Sequence, residues 1–331
     1  MLRNFVRQRF FVVLVLLAVM LVFFTLTQER FLTPENMSAV MTSSSILWVA
    51  SLGLTFVMLA GGFDLSIGSM LALCGIGLGW FVNEAGLPLF VAIIFTILLG
   101  AGLGALVNGV PIGKYGLSFL VVTLGSLILF RGLTNLWSGT KTQQVISPFL
   151  DELAFGSSLG VPNPIIVMVV TFLIMLYVQK YTFFGRDVYA VGGNAEAARL
   201  SGIRTSRTLI AVYGLSAGLA AVAAVLQDAR IGAASPQVGD NLVFAAAAAV
   251  LLGGTSFSGG IGGVGGTVVG VLFLGVLQNG LSVGGVESYW QQIITGVILI
   301  AAIALDLVQR RRTERSKSLR TPAAQPAVPA S

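Results

Sequence analysis

Histidine is missing from this 331-residue chain, cysteine occurs once, and charged residues make up only 10% of it. Without histidine, the commonest metal ligand and the usual proton shuttle near neutral pH are gone. The single Cys74 excludes an internal disulfide, and its place in an apolar run gives it a packing role. Soluble domains carry about a quarter of their residues charged, so this chain has too few to solvate a globule of its size. The G-x-x-x-x-G-K-[ST] phosphate loop is absent as well: Asn108 stands where its first glycine would precede Gly113-Lys114, and Tyr115 replaces the hydroxyl residue. The chain therefore has no nucleotide-hydrolysing motif of its own, and no nucleophile–base pair marks it as an intramembrane enzyme.

Apolar residues, by contrast, make up 56% of the chain, with a mean hydropathy of +0.92. They come in continuous runs rather than in alternation. A bilayer's hydrocarbon needs about 20 such residues per crossing, and backbone groups within it must be paired inside a helix or a closed barrel. Continuous runs favour helices over a barrel. Ten windows fit, at about 10–27, 38–60, 67–83, 87–108, 117–137, 162–180, 207–227, 241–257, 264–282 and 289–308. The third and eighth are the weakest. The expected fold class is an all-α integral membrane protein of about ten transmembrane helices, with the permease domain over 1–308. The first window follows Arg3, Arg7 and Arg9, yet no small-x-small cleavage site comes after it, which reads as an uncleaved span rather than a signal peptide.

Charge placement orients the spans. Arg30, Lys141 and Arg230 fall in outer loops and Arg131 falls inside the fifth window, leaving fifteen of the nineteen Lys and Arg for the side that holds both termini. By the positive-inside rule that side is the cytoplasm. The excess positive charge thus points to membrane lipid and not to nucleic acid. From about residue 309 the tail is basic and then rich in Ala and Pro, the composition of a disordered cytoplasmic segment.

Three polar features stand out. The string Gly61-Gly62-Phe63-Asp64-Leu65-Ser66-Ile67-Gly68-Ser69 joins two apolar windows. A carboxyl there is a site hypothesis by default; the plainer alternative is that Asp64 supports the start of the next helix. A second stretch runs from Gly185, Arg186 and Asp187 to Gly202, within a cytoplasmic loop of about 181–206. Asn194 after Gly193 suits an N-cap, Glu196 the first turn, Arg199 the last turn and Gly202 a left-handed C-cap. A helix of about two turns does not persist alone in water, so it must dock, with Ala195 and Ala198 as a small face for a partner; otherwise the stretch is a plain connecting loop. The third feature is the set of polar residues inside apolar windows. Asp64, Ser66, Asn108, Thr123, Gln278 and Asn279 are weak candidates for a hydrophilic path, since each could equally bond across helices; Arg131 is another such residue.

Glycine is abundant, with 41 residues. Gly260, Gly262 and Gly265 fit G-x-G-x-x-G, but apolar spans flank them instead of a βαβ unit. The segment 253–266 reads as a close approach or an intramembrane break. Gly75/Gly79, Gly100/Gly104, Gly214/Gly218 and Gly266/Gly270 read as packing seams.

Over about residues 30–308 the chain resembles the permease subunits of the ribose, xylose and galactose class of bacterial ABC importers, which are related to the branched-chain amino-acid permeases. The resemblance rests on Phe31-Leu32-Thr33-Pro34-Glu35-Asn36, on Gly61 to Ser69, on Gly185 to Ile203, and on Gly253-Gly254-Thr255-Ser256 with Gly259-Gly260. It implies a type II importer fold in the bacterial plasma membrane, with a second permease copy or homologue. It also implies a separate ABC ATPase that holds the ATP and magnesium, this chain binding no cofactor or metal. A periplasmic or lipid-anchored binding protein would deliver a sugar or sugar-like solute. Gly185, Arg186, Asp187, Gly193, Asn194, Glu196, Ala198, Arg199 and Gly202 would couple to the ATPase. One departure stands out: Val243-Phe244-Ala245 occupies the place of a usual Glu-Leu-Asp. The competing reading is an ion-coupled secondary transporter of a small polar solute, with Asp64 as its coupling site.

Overall fold

The computed structural model describes the backbone of residues 2–318 and the side chains of residues 11–308. It is mostly helical, with two short antiparallel pairings, 143–144 with 233–234 and 157–158 with 161–162. Helices α1 (Leu2–Thr27), α2 (Pro34–Leu59), α3 (Ile67–Asn83) and α4 (Leu89–Leu103) come first. A single π turn (Gly104–Gly109) then carries α4 into α5 (Val110–Gly113), so that the three form one rod. After them come α6 (Phe119–Ser138), α7 (Pro148–Phe155), α8 (Asn163–Tyr181), α9 (Phe183–Gly193), α10 (Ala195–Leu200), α11 (Thr205–Ile231), α12 (Leu242–Leu252), α13 (Val264–Val283) and α14 (Ser288–Ser318).

Among the described residues, seven helices are long and apolar enough to cross a membrane, and Phe11–Thr27, α3 and α12 are shorter apolar helices. Together they coincide with the ten hydrophobic windows. The basic stretch after 308 continues α14 to Ser318 before any proline intervenes; the rest of the tail, 319–331, lies outside the described residues.

Local sequence sets the helix ends. Thr33 caps α2, its hydroxyl accepting from the Asn36 amide at 3.3 Å, with Pro34 in the first turn. Gly139 and Gly232 close α6 and α11 in the left-handed conformation.

Two helices form the centre. In the apolar windows of α2 and α11, 89% and 72% of residues are buried, against 22% or less in the Leu89–Gly113 rod, α6, α8 and α14. The latter group offers its apolar side chains to lipid. Small residues bring the centre together. A Cβ on Gly53 of α2 would lie 3.0 Å from Ser216 Cα of α11, a separation only glycine permits without displacement.

The rod packs on α11 through four glycines. Gly100 meets Ala217, Gly104 meets Ala217 and Tyr213, Gly109 meets Ile210 and Gly113 meets Ser206. Their spacing is four, five and four residues, and a regular α-helix would rotate the last two off the seam. The π turn takes up the extra residue, keeping all four on one face and turning Asn108 into the interior. All four glycine pairs expected from the sequence lie in packing seams: Gly214 and Gly218 meet Ala105 and Ala101, Gly266 and Gly270 meet Gly253 and Ala249 of α12, and Gly75 and Gly79 meet Asp228 and Gln143.

The eighth window is not a full span. At ~1.5 Å per residue, α12 is only ~16 Å long. The chain reaches it through 235–241, which folds inward until Gly239 (φ +89°) rests on Gly68 at the start of α3. A Cβ on Gly68 would sit 2.1 Å from the Gly239 carbonyl oxygen.

Candidate functional site

A cavity of about 740 Å³ opens at the end of the molecule where α2 starts and α13 finishes. Ser43 and Ser44 of α2 and Gln227 and Arg230 of α11 line it, with Gly275, Gln278, Asn279 and Ser282 of α13 and Gln291 of α14. The inward loop supplies Gln237 to Asn241, and Leu71 and Ala245 also border the cavity. Beside Arg230, Asp240 and apolar residues such as Val40 and Leu47, nine lining side chains are amides or hydroxyls. Their donors and acceptors can exchange bonds with hydroxyl groups without demanding a charge. Four of the α13 residues recur at helical spacing on one face, the periodic signal that exposes such a wall.

Arg131 holds the loop. From α6 its guanidinium donates to the Pro236 carbonyl, to the Val238 carbonyl at 3.1 Å and to Asp240 Oδ1 at 2.5 Å. Rigid planar donors of this kind suit several fixed acceptors at once. Among Val243-Phe244-Ala245, Val243 is buried, Phe244 is exposed and Ala245 borders the cavity. One position of the sequence departure therefore lies on the cavity wall.

Gln278 and Asn279 thus line the cavity, while the other path candidates do not. Asp64 is buried, and its Oδ1 accepts from the Ser66 amide at 2.9 Å, the Ser66 hydroxyl at 2.6 Å and Asn108 Nδ2 at 3.4 Å. The Ser216 hydroxyl donates to Oδ2 at 3.4 Å, and Asn108 also donates to Ser66 Oγ at 2.9 Å. This closed cluster ties the α2–α3 turn to the π turn and to α11. It is the helix-start alternative in extended form, with Ser66 rather than Asp64 at the N-cap position. Thr123 is buried and donates to the Phe119 carbonyl within its own helix. Asn279 exchanges two amide bonds with Asn36, at 2.9 and 2.8 Å.

At the opposite end of the molecule, 183–202 forms two helices where the sequence led us to expect one. Gly185, Arg186, Asp187 and Gly193 all belong to α9, which Thr182 caps by accepting from the Gly185 amide at 3.1 Å. The run held helical residues, but its glycines masked them. Asn194 caps α10 as expected, accepting from the Ala197 amide at 2.9 Å. Arg199 pairs with Glu196 at 2.6 Å, and the hydrogen bond from Arg199 holds the Glu196 carboxyl below its usual range. Gly202 takes φ +85° beyond the helix. Ala198 departs from expectation: it is buried against its own chain, so it is no partner-facing residue. The outward surface is formed by Asn194, Ala195, Glu196, Ala197, Arg199 and Leu200, the last 75% exposed.

This segment is seated on bare backbone. A Cβ on Gly192 would lie 1.8 Å from the Leu59 carbonyl oxygen and 2.7 Å from the Gly260 nitrogen. The Gly260 amide itself donates to the Leu59 carbonyl at 2.9 Å. Among the described residues, no group of three or more His, Cys, Asp or Glu is placed to hold a metal ion.

Comparison with known proteins adds a family. Residues 36–303 match the family described as the permease component of the branched-chain amino acid transport system. The chain is 36% identical over 299 residues to a ribose import permease protein of Escherichia coli strain K12, covering 88% of this chain and 92% of the relative. It is 34% identical over 297 residues to the D-allose transport system permease protein of the same strain, covering 90% of each. To that strain's xylose transport system permease protein it is 30% identical over 374 aligned positions, covering 92% and 93%. No solved structure matches.

Proposed function

The chain belongs to the family of branched-chain amino acid transport system permease components, and on that premise we propose that it is the membrane subunit of an ATP-driven importer for a sugar or sugar-like solute. The observation that carries this reading is the pairing of two features at opposite ends of one molecule. At one end is an open cavity with nine amide and hydroxyl side chains on its wall; at the other is a short capped helix pair presented outward. Positive charge assigns the helix pair and both termini to the cytoplasm. The cavity then faces the extracytoplasmic side, where a binding protein would hand over the solute.

In this reading a separate ATPase docks on 194–200 and carries the ATP and magnesium. A second permease copy or homologue completes the path. The relatives' ribose, allose and xylose support a monosaccharide as solute, which the amide-rich wall would receive through its hydroxyls. The ion-coupled alternative loses its anchor, because Asp64 is enclosed by its own hydrogen-bonding cluster and does not border the cavity.

The test uses the full importer, with this chain co-expressed with its ATPase partner. Leu200→Glu places a charge on the exposed apolar residue of the docking surface. The variant is expected to reach the membrane at normal abundance while losing at least about tenfold in ATPase association, the scale set by ~1.4 kcal/mol at an interface anchor. Association and pentose or hexose uptake both at wild-type level would overturn the docking assignment.

A further inference from the structure

Helix α13 begins on Gly263, which has no side chain to cap it. First-turn amides of a helix have no partner within the helix, and here two of them find one elsewhere. The Val264 amide donates to Gln179 Oε1 of α8 at 2.9 Å, and the Gly263 amide donates to Thr255 Oγ1 at 3.2 Å. Gln179 Nε2 in turn donates to the Tyr189 hydroxyl of α9 at 2.5 Å, and that hydroxyl donates to the Gly262 carbonyl at 2.6 Å. A continuous polar chain therefore runs from the cytoplasmic helix pair, through α8, to the backbone that starts α13.

The chain of contacts has no slack. A Cβ on Gly263 would lie 2.2 Å from Gln179 Nε2. One turn beyond Tyr189, Gly192 is wedged between Leu59 and Gly260. The bonds from Gln179 and Tyr189 also end on main-chain atoms of 262–264. A displacement of α9 carried by these two side chains thus reaches the backbone at the start of the helix directly. At its far end α13 carries Gln278 and Ser282 into the cavity; the fifteen residues from Val264 to Gln278 span ~21 Å of helix.

We propose that Gln179 and Tyr189 are positioning residues that set the tilt of α13 from the docking segment and so couple the ATPase side to the cavity wall. The proposal rests on the assignment of 194–200 to ATPase docking. Coupling between distant sites needs evidence beyond intermediacy, and a double-mutant cycle supplies it.

Tyr189→Phe removes only the hydroxyl, and Gln179→Leu removes both amide bonds at similar volume. In the reconstituted importer, each is expected to keep membrane abundance, ATPase association and basal ATP hydrolysis at wild-type level. Solute moved per ATP is expected to fall tenfold or more in each, and no further in the double variant. Proportional loss of abundance, hydrolysis and uptake, or additive losses in the double variant, would mean a structural role and overturn the proposal. A second readout works on the permease alone. Ser282→Cys places a reporter thiol on the cavity wall, the native Cys74 being buried. Tyr189→Phe is expected to change its labelling rate at least threefold, and an unchanged rate would overturn the relay. Failure of the unmodified permease to bind the ATPase would instead overturn the docking reading, leaving the labelling result to decide the relay.

Discussion

Replacing Asp64 separates a packing role from a role in transport. The carboxyl receives two short hydrogen bonds from Ser66, at 2.9 and 2.6 Å, and two long ones from Asn108 and Ser216, at 3.4 Å each. Asp64→Ala strands the Ser66 amide and hydroxyl in a site closed to water. Each stranded buried donor costs ~1–3 kcal/mol, so the two short bonds set a loss of ~2–6 kcal/mol. Asn108 keeps its bond to Ser66 Oγ at 2.9 Å and adds little to this loss. Asp64→Asn retains a carbonyl oxygen for both Ser66 bonds and turns its amide toward the Ser216 hydroxyl, which can accept. Its loss is expected to stay below ~1.5 kcal/mol, about one net hydrogen bond. At the middle of the Ala range, ~4 kcal/mol, the two variants should differ by ~2.5 kcal/mol, more than tenfold in unfolding equilibrium at ~1.4 kcal/mol per factor of ten. Reversible unfolding of the purified chain in mixed detergent micelles measures this difference. Uptake normalised to membrane abundance gives the second axis. Equal stability of the Ala and Asn variants would refute the accounting of donors. A stable Asn variant without uptake would refute the packing role and return the carboxyl to the transport path.

Gly68→Ala pushes a methyl group into the Gly239 carbonyl; we expect the inward loop to be displaced, with a stability loss of ~1–3 kcal/mol typical of overpacking, and uptake measured at matched abundance should fall. Arg131→Lys keeps the charge but cannot serve three acceptors in one plane; losing charge-assisted bonds worth ~1.5–3 kcal/mol should lower uptake about tenfold, and unchanged uptake would show that the loop holds its place without the clamp. Reporter fusions at Ser158 and Gly193 are expected on opposite faces of the membrane; the same face for both would sink the ten-span orientation.

The spans were legible because hydropathy reports which residues avoid water, and lipid-facing helices such as α6 and α8 are built mainly of such residues. The caps of α10 were legible for a similarly local reason: Asn194, Glu196 and Gly202 act on their own turn. What stayed hidden depends on neighbours. Asn108 and Gln278 are equally polar residues in apolar windows, yet one is enclosed with Asp64 and the other faces the cavity. Only the partner helices decide between them. The inward loop was invisible because Gln237 to Asn241 reads as an ordinary polar connection, and its descent depends on Gly68 and Arg131, which are distant in sequence. Ala198 was misplaced because its small side chain suits a groove in the chain's own fold as well as one in a partner.

The π turn in the Leu89–Gly113 rod constrains how this gene can change. A helix facing lipid can gain or lose a residue and still present an apolar surface, because lipid does not register rotation. In this rod the π turn already takes up one extra residue, and loss of one codon from 101–103 would turn everything beyond it by ~100°. Gly109 and Gly113 would swing out of the seam with α11, and Asn108 would leave Asp64 and Ser66. Hydropathy would barely register the loss. Two spans of equal hydrophobicity thus differ in their tolerance of insertions and deletions, and here the length of the rod matters to packing as much as its composition.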